Sequence, residues 1–180
     1  KILIVAANQF LRKAWAETFE GISKFMKSNP NIKVRIYVQS ITNMPGGWPL
    51  VELAQYYGIA NEMMIASPYH WMTGKYTEDA VSTIYGLADV VINAGLEGFG
   101  LATIEAQAMG TPVIGLNEGA TPDLLKAGVL IPVASTMQTP DMLVKAFPSS
   151  DDIAEALLTI YNSPRERWKH VPQWIKENFD

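Results

Sequence analysis

The sequence predicts an α/β domain, a doubly wound, Rossmann-like sheet of six parallel strands with helices on both faces. Three observations carry this. Short apolar runs, several rich in β-branched residues, alternate along the whole chain with longer stretches of helical spacing. Glycine and proline gather in the loops between these segments, as in the NMPGGWP and AGLEGFG stretches. The 180 residues, 48% hydrophobic and 18% charged, suit one domain with its own core. Strands alternating with helices are what parallel βαβ units require. The whole of 1–180 reads as one unit, with no internal repeat or linker.

The elements follow in order. Residues 2–6 form a buried strand. Residues 11–27 form a helix on the apolar positions Leu11, Trp15, Phe19, Ile22, Phe25 and Met26. Residues 34–38 are a second strand, and 43–49 a loop by glycine and proline content. Residues 50–57 form a short helix ended by Gly58, 63–66 a third strand, and 67–74 a loop. Residues 77–87 form a helix with Glu78 and Asp79 favourably placed in its first turn. Residues 89–93 are the fourth strand, followed by a glycine-rich turn and a helix over 101–109 closed by Gly110. A fifth strand (112–116), a helical turn (121–126) and a sixth strand (129–133) come next, then a long irregular loop over 134–148. Ser149 with Asp152 is a capping pattern for a helix with the face Ile153, Ala154, Leu157, Leu158 and Tyr161. Pro164 starts a last helical segment toward Phe179.

Composition excludes several classes. Cysteine is absent, so disulfides, cysteine zinc sites and thiol nucleophiles are out, and a reducing compartment is expected. A net charge of −4 implies no broad basic field for nucleic acid. There is no secretory signal and no apolar stretch of membrane-spanning length. The expected location is cytoplasmic, or peripheral to a membrane within a longer protein. The chain opens on a strand without an initiator methionine and reads as a fragment of something longer. His70 and His170 lie far apart and form no ligand cluster. Trp15 is a core residue, while Trp48 and Trp71 are packing residues or sugar-stacking surfaces.

The order 3-2-1-4-5-6 places strands 1 and 4 side by side, and ligands bind beyond the carboxyl ends of such a pair. Two segments therefore matter, 7–13 and 94–105. The first, AANQFLRK, has no glycine, so it lacks the G-x-G-x-x-G fingerprint, and the chain has no Walker pattern. It carries Arg12 and Lys13 at a helix start, either solvated or gathered around an anion. In the second, Gly98 and Gly100 bracket Phe99 just before a helix, where backbone can approach a ligand and free N–H groups can meet a phosphate. Glu105 falls between Leu101 and Met109, beside Ile104 and Ala108, in what reads as the apolar stripe. A carboxylate there is either a buried salt bridge or a group reaching into the crevice to accept from vicinal hydroxyls such as a ribose. Its place near the phosphate-binding end favours the second. Glu97 projects from the loop and could grip another polyol.

The stretch EGFGLATIEAQAMGTPVIG, residues 97–115, with the lead-in IYGLADVVIN, resembles the E-x7-E region of retaining GT-B glycosyltransferases of the group 1, family 4-like class. The resemblance covers nearly the whole chain, but only that family's C-terminal, donor-nucleotide domain. It implies a nucleotide-diphosphate sugar (UDP-, GDP- or ADP-linked) as substrate, and an N-terminal acceptor domain, absent here, that holds a sugar, glycan or lipid. By resemblance, Glu105 binds the ribose and Glu97 the donor sugar's hydroxyls. Gly98 and the amides of Phe99, Gly100 and Leu101 meet the sugar and diphosphate. Lys13 and its neighbour Arg12 neutralise the diphosphate, and Ser67 and Tyr69 belong to the base-reading loop. Glu97 and Lys13 are the catalytic pair it implies. The chain departs from the pattern at Ala6, Ala7 and Asn8, where the family often has an arginine, and at Ala14, where it has glycine. The resemblance implies hexosyl transfer with retention; no D-x-D pair is present, so metal-independent chemistry is expected, with no cofactor. A non-catalytic nucleotide-binding or regulatory module, or a GT-B epimerase relative, is the alternative.

Overall fold

The structure is a computed structural model and describes residues 2–7, 13–40, 47–138, 142 and 144–179, with backbone alone at 2–7 and 71. Strands β1 (Ile2–Ala7), β2 (Val34–Gln39), β3 (Met63–Ile65), β4 (Val90–Asn93), β5 (Val113–Leu116) and β6 (Gly128–Ile131) form one sheet. Its order is β3-β2-β1-β4-β5-β6, and every neighbouring pair is parallel. The predicted doubly wound class and the adjacency of strands 1 and 4 are both observed. All four residues of β4 and of β5 are buried, as central strands covered on both faces require. In β2, Val34, Ile36 and Val38 are buried while Arg35 is exposed.

The helices are α1 (Trp15–Ser28), α2 (Leu50–Tyr57), α3 (Pro68–Met72), α4 (Glu78–Leu87), α5 (Leu101–Ala108), α6 (Thr121–Leu124), α7 (Ser150–Tyr161) and α8 (Val171–Phe179). The larger core cluster joins Trp15, Phe19, Ile22 and Phe25 of α1 to Ile36 and Val38 of β2 and to Ile153 and Leu157 of α7. A smaller one joins Tyr85, Ala88, Val91, Ala106 and Val113, with Tyr37 of β2 packed against it. Helices α1 and α7 approach closely at Gly21, where an added Cβ would lie 2.7 Å from Ile153 Cβ and 2.8 Å from the Ser150 carbonyl. Beside it, Lys24 Nζ donates to Asp151 Oδ1 at 2.7 Å and to Ser150 Oγ at 2.9 Å. The Ser149 cap is observed: its hydroxyl accepts from the amides of Asp151 and Asp152. Helix α4 is capped in the same way by Thr77, which accepts from Ala80 N at 3.3 Å.

Three expectations are corrected. The irregular loop expected over 134–148 contains an antiparallel hairpin, β7 (Ser135–Gln138) with β8 (Val144–Phe147), in the register Ser135↔Phe147. All four residues of β7 are exposed, so its sequence has no inward apolar alternation to announce a strand. The loop expected over 67–74 contains α3, which Pro68 opens with a pre-set φ. The helix expected from residue 11 is observed from Trp15; residues 8–12 lie outside the described residues, as do 43–46 of the expected NMPGGWP loop. Among the described residues, no helix is long and apolar enough to cross a membrane.

Candidate functional site

The register Ile4↔Val90 and Ala6↔Ile92 sets the carboxyl ends of β1 and β4 side by side. Lys13, just before α1, and the 94–100 loop after β4 meet at this rim. The Lys13 ammonium pairs with Glu97 Oε1, and both side chains are buried. Asn93, the last residue of β4, has its amide oxygen 3.5 Å from Lys13 Nζ, and its amide nitrogen donates to Thr103 Oγ1 on α5 at 3.0 Å. Asn93 and Thr103 are fully covered. Taking both ions of such a pair from water costs several kcal/mol per ion, so it needs this polar company. Ala14, where relatives have glycine by the resemblance above, holds a left-handed backbone at φ +49° as the N-cap of α1. An alanine pays strain there, and such outliers gather at functional sites.

The start of α5 is built for close approach. Gly100 is its N-cap at φ +82°, and an added Cβ would sit 2.6 Å from Leu124 Cδ1, so the position demands glycine. An added Cβ at Gly98 would meet nothing within 4 Å, so packing does not demand that glycine. Among the described residues no side chain caps α5; the Gly100 carbonyl accepts from Thr103 N and Ile104 N. The first amides of a helix have no intrahelical acceptor, and the helix dipole makes that end attractive to anions. Phe99 and Leu101 stand exposed beside it. The loop is braced from behind, where Ala120 N donates to the Glu97 carbonyl at 3.1 Å.

Glu105 does not occupy a buried apolar stripe. It is exposed, and Leu101 and Met109 on the same side are 61% and 44% exposed. The buried face of α5 is instead Thr103, Ile104, Ala106 and Gln107. Polarity misled here because both polar members are satisfied. Gln107 Nε2 donates to the carbonyls of Thr103 (2.9 Å) and Leu124 (3.1 Å), and its Oε1 accepts from the amides of Lys126 (2.7 Å) and Ala127 (2.8 Å). The expected cost of a buried Glu105 charge is withdrawn with its burial. Its carboxyl is still raised above the usual glutamate range, chiefly because neighbouring atoms thin its solvent, while a hydrogen bond from Tyr85 pulls it back down. The Tyr85 hydroxyl is pushed up by its own burial, then by Glu105, so it stays a donor.

The structure thus brings Lys13, Glu97, Gly98, Phe99, Gly100 and Leu101 to one rim, with Glu105 one turn along α5. Ser67 and Tyr69 follow β3, two strands away at the same end of the sheet. The Ser67 amide donates to the Tyr76 hydroxyl at 3.0 Å, and Tyr69 is exposed. Arg12 lies outside the described residues. Asn93 and Gln107 were not singled out from sequence. The available signal was a polar side chain at a place where its neighbours are buried.

Residues 19–177 match the sequence model of the family described as glycosyl transferases group 1. The chain belongs to that family. Among curated group 1 relatives, the D-inositol 3-phosphate glycosyltransferase of Corynebacterium kroppenstedtii is 30% identical over 109 residues, 60% of this chain and 23% of that protein. The enzyme of the same name from Corynebacterium urealyticum is 28% identical over 163 residues, 88% of this chain and 38% of that one. The chain therefore spans well under half the length of these curated relatives. Among solved group 1 and GT-B structures, the C-terminal domain of the group 1 protein LpcC from Francisella tularensis aligns with a TM-score of 0.68 at 19% identity, over 99% of this chain and 86% of that one. WaaG, a glycosyltransferase of lipopolysaccharide biosynthesis, aligns with a TM-score of 0.71 at 18% identity, over 100% of this chain and 44% of that one. At these identities the structural likeness speaks for the fold, one half of a GT-B architecture.

Proposed function

We propose that these residues are the donor half of a group 1 glycosyltransferase, binding a UDP-, GDP- or ADP-sugar for retaining hexosyl transfer. The acceptor, a sugar, glycan or lipid, is held by a second domain of the longer protein. The observation that carries this reading is the buried Lys13–Glu97 pair beside the start of α5, on the switch point of a parallel sheet. A lysine and a row of free helix amides at one point suit a diphosphate. A carboxylate beside them suits sugar hydroxyls.

The roles follow from position. Lys13, with Arg12 beside it in sequence, and the amides of Phe99, Gly100 and Leu101 face the diphosphate. Gly98 leaves space for the sugar, and Glu97 accepts from its hydroxyls. Glu105 accepts from the ribose, and Ser67 and Tyr69 line the base. Transfer breaks the bond between sugar and diphosphate while charge builds on the leaving group. The Lys13 ammonium and the α5 amides stabilise that charge as it grows, so the reading calls on no metal and no cofactor. The protein then works where nucleotide-sugars are made, in the cytoplasm.

Calorimetric titration tests this. The chain should bind one of the three nucleoside diphosphates more tightly than the matching nucleoside. Lys13→Ala should lose about 1.5–3 kcal/mol on the diphosphate, the usual range for hydrogen bonds to charged groups, and little on the nucleoside. Equal losses on both ligands would place Lys13 outside the site.

A pH series tests Glu105. Its carboxyl sits above the usual range, so acidification protonates it early and removes an acceptor for the ribose hydroxyls. Nucleoside affinity should fall as pH drops, with a midpoint above that of an ordinary glutamate. Tyr85→Phe removes the hydrogen bond that lowers this pKa, so the midpoint should move further up. A midpoint unmoved by Tyr85→Phe, or affinity flat across the range, refutes the ribose role.

A further inference from the structure

Strand β4 reads Val-Val-Ile-Asn, and its one polar side chain is also its last. Asn93 is 1% exposed, yet its amide is engaged on both sides: the oxygen toward Lys13 Nζ, the nitrogen on Thr103 Oγ1. An ammonium only donates, so it requires the carbonyl side of the amide; the nitrogen side is left to the threonine hydroxyl. Thr103 is in the first turn of α5 and is itself fully buried. The amide is therefore held in one orientation between the end of a central strand and the helix whose amides face the ligand.

From this geometry we infer that Asn93 is a positioning residue for Lys13, a neutral, fixed acceptor that keeps the ammonium at the mouth of α5 when donor binds. The inference rests on the reading that Lys13 meets the diphosphate. In the free chain the ammonium has a charged partner, Glu97, on the loop. A glutamate that accepts from the sugar's hydroxyls holds the lysine less firmly at the moment its charge is needed. A lysine side chain has many rotamers, and fixing them costs affinity. Asn93 does not leave with the loop, since it belongs to β4. It also carries no charge, so it orients the ammonium without competing with phosphate for it. A carboxylate at this place would do both.

The test titrates the chain, Asn93→Ala, Asn93→Asp and Lys13→Ala with the nucleoside diphosphate the parent binds and with its nucleoside. Circular dichroism checks folding. Asn93→Ala should weaken the diphosphate about tenfold and leave the nucleoside within about twofold, the size expected for one hydrogen bond to a charged group. Asn93→Asp keeps shape and volume and retains an acceptor. It should weaken the diphosphate at least as much, because its charge competes with the phosphates, again sparing the nucleoside. Unchanged diphosphate affinity in either folded variant overturns the inference, as do equal losses on both ligands, which would mark a structural role. Should Asn93→Ala not fold, the isosteric Asn93→Asp decides alone. Lys13→Ala separates the two levels. If it shows no selective loss, the diphosphate reading itself has failed; if it does while the Asn93 variants do not, only the positioning role has.

Discussion

The 180 residues by themselves are expected to bind a nucleoside diphosphate and to transfer no sugar. Group transfer needs the acceptor oxygen held against the anomeric carbon, and positioning of that kind is worth roughly 7–11 kcal/mol of barrier. At the rim that carries Lys13 and Glu97, Phe99 and Leu101 stand 64% and 61% exposed. The curated relatives are much longer than this chain, which aligns with 23% of one and 38% of another. On the reading proposed here, the acceptor and half of the cleft wall belong to that further length. The measurement is a panel of nucleotide-sugars offered with candidate acceptors, read by released nucleoside diphosphate. Slow hydrolysis of the donor is the most expected. Many turnovers of transfer by these residues alone would sink the two-domain reading and require an acceptor site on this one rim.

Gln107→Ala is expected to be among the most destabilising single changes in the chain. The side chain is fully buried and makes four hydrogen bonds, all to backbone, across α5, the end of α6 and the entry to β6. Removing it strands the amides of Lys126 and Ala127 and the carbonyl of Leu124, while the Thr103 carbonyl keeps its helix bond, and each buried polar group left without a partner costs about 1–3 kcal/mol. Allowing for relaxation, a loss of about 3 kcal/mol or more follows. In a chain of this size that lowers the melting temperature by roughly 6–12 °C. Gln107→Glu makes the same point at constant volume, since it would aim a carboxylate oxygen at the carbonyls of Thr103 and Leu124. Thermal melts of both variants are the check, and a midpoint within about a degree of the parent for either would refute the clasp. The effect reaches the site as well, because Leu124 is the residue packed against Gly100.

The sheet was legible because its strands are continuous apolar runs and its helices amphipathic, so period and order could be read together. Topology alone singles out 7–13 and 94–105, and Lys13 and Glu97 do meet there. The face of α5 was misread for a physical reason. A stripe of Leu101, Ala108 and Met109 looks like a core face, but hydrophobicity cannot see that Thr103 and Gln107 find all their partners inside. The hairpin of β7 and β8 is not legible because β7 is exposed throughout and β8 fully buries only Ala146, so neither carries an apolar alternation. The engagement of Asn93 depends on a lysine eighty positions earlier in the chain, and no local pattern records such a pairing.

The tight seat of Gly21 against Ile153 also bears on how the protein is made. Helix α1 leaves the ribosome more than a hundred residues before α7, yet each covers the other's apolar side. Until Ile153 and Leu157 have emerged, Phe19, Ile22 and Phe25 lack part of their cover. Contacts between distant segments form slowly, because the intervening chain must first be brought to order. A nascent chain halted before Ser150 would carry an open greasy seam along α1, the kind of surface on which holding chaperones act.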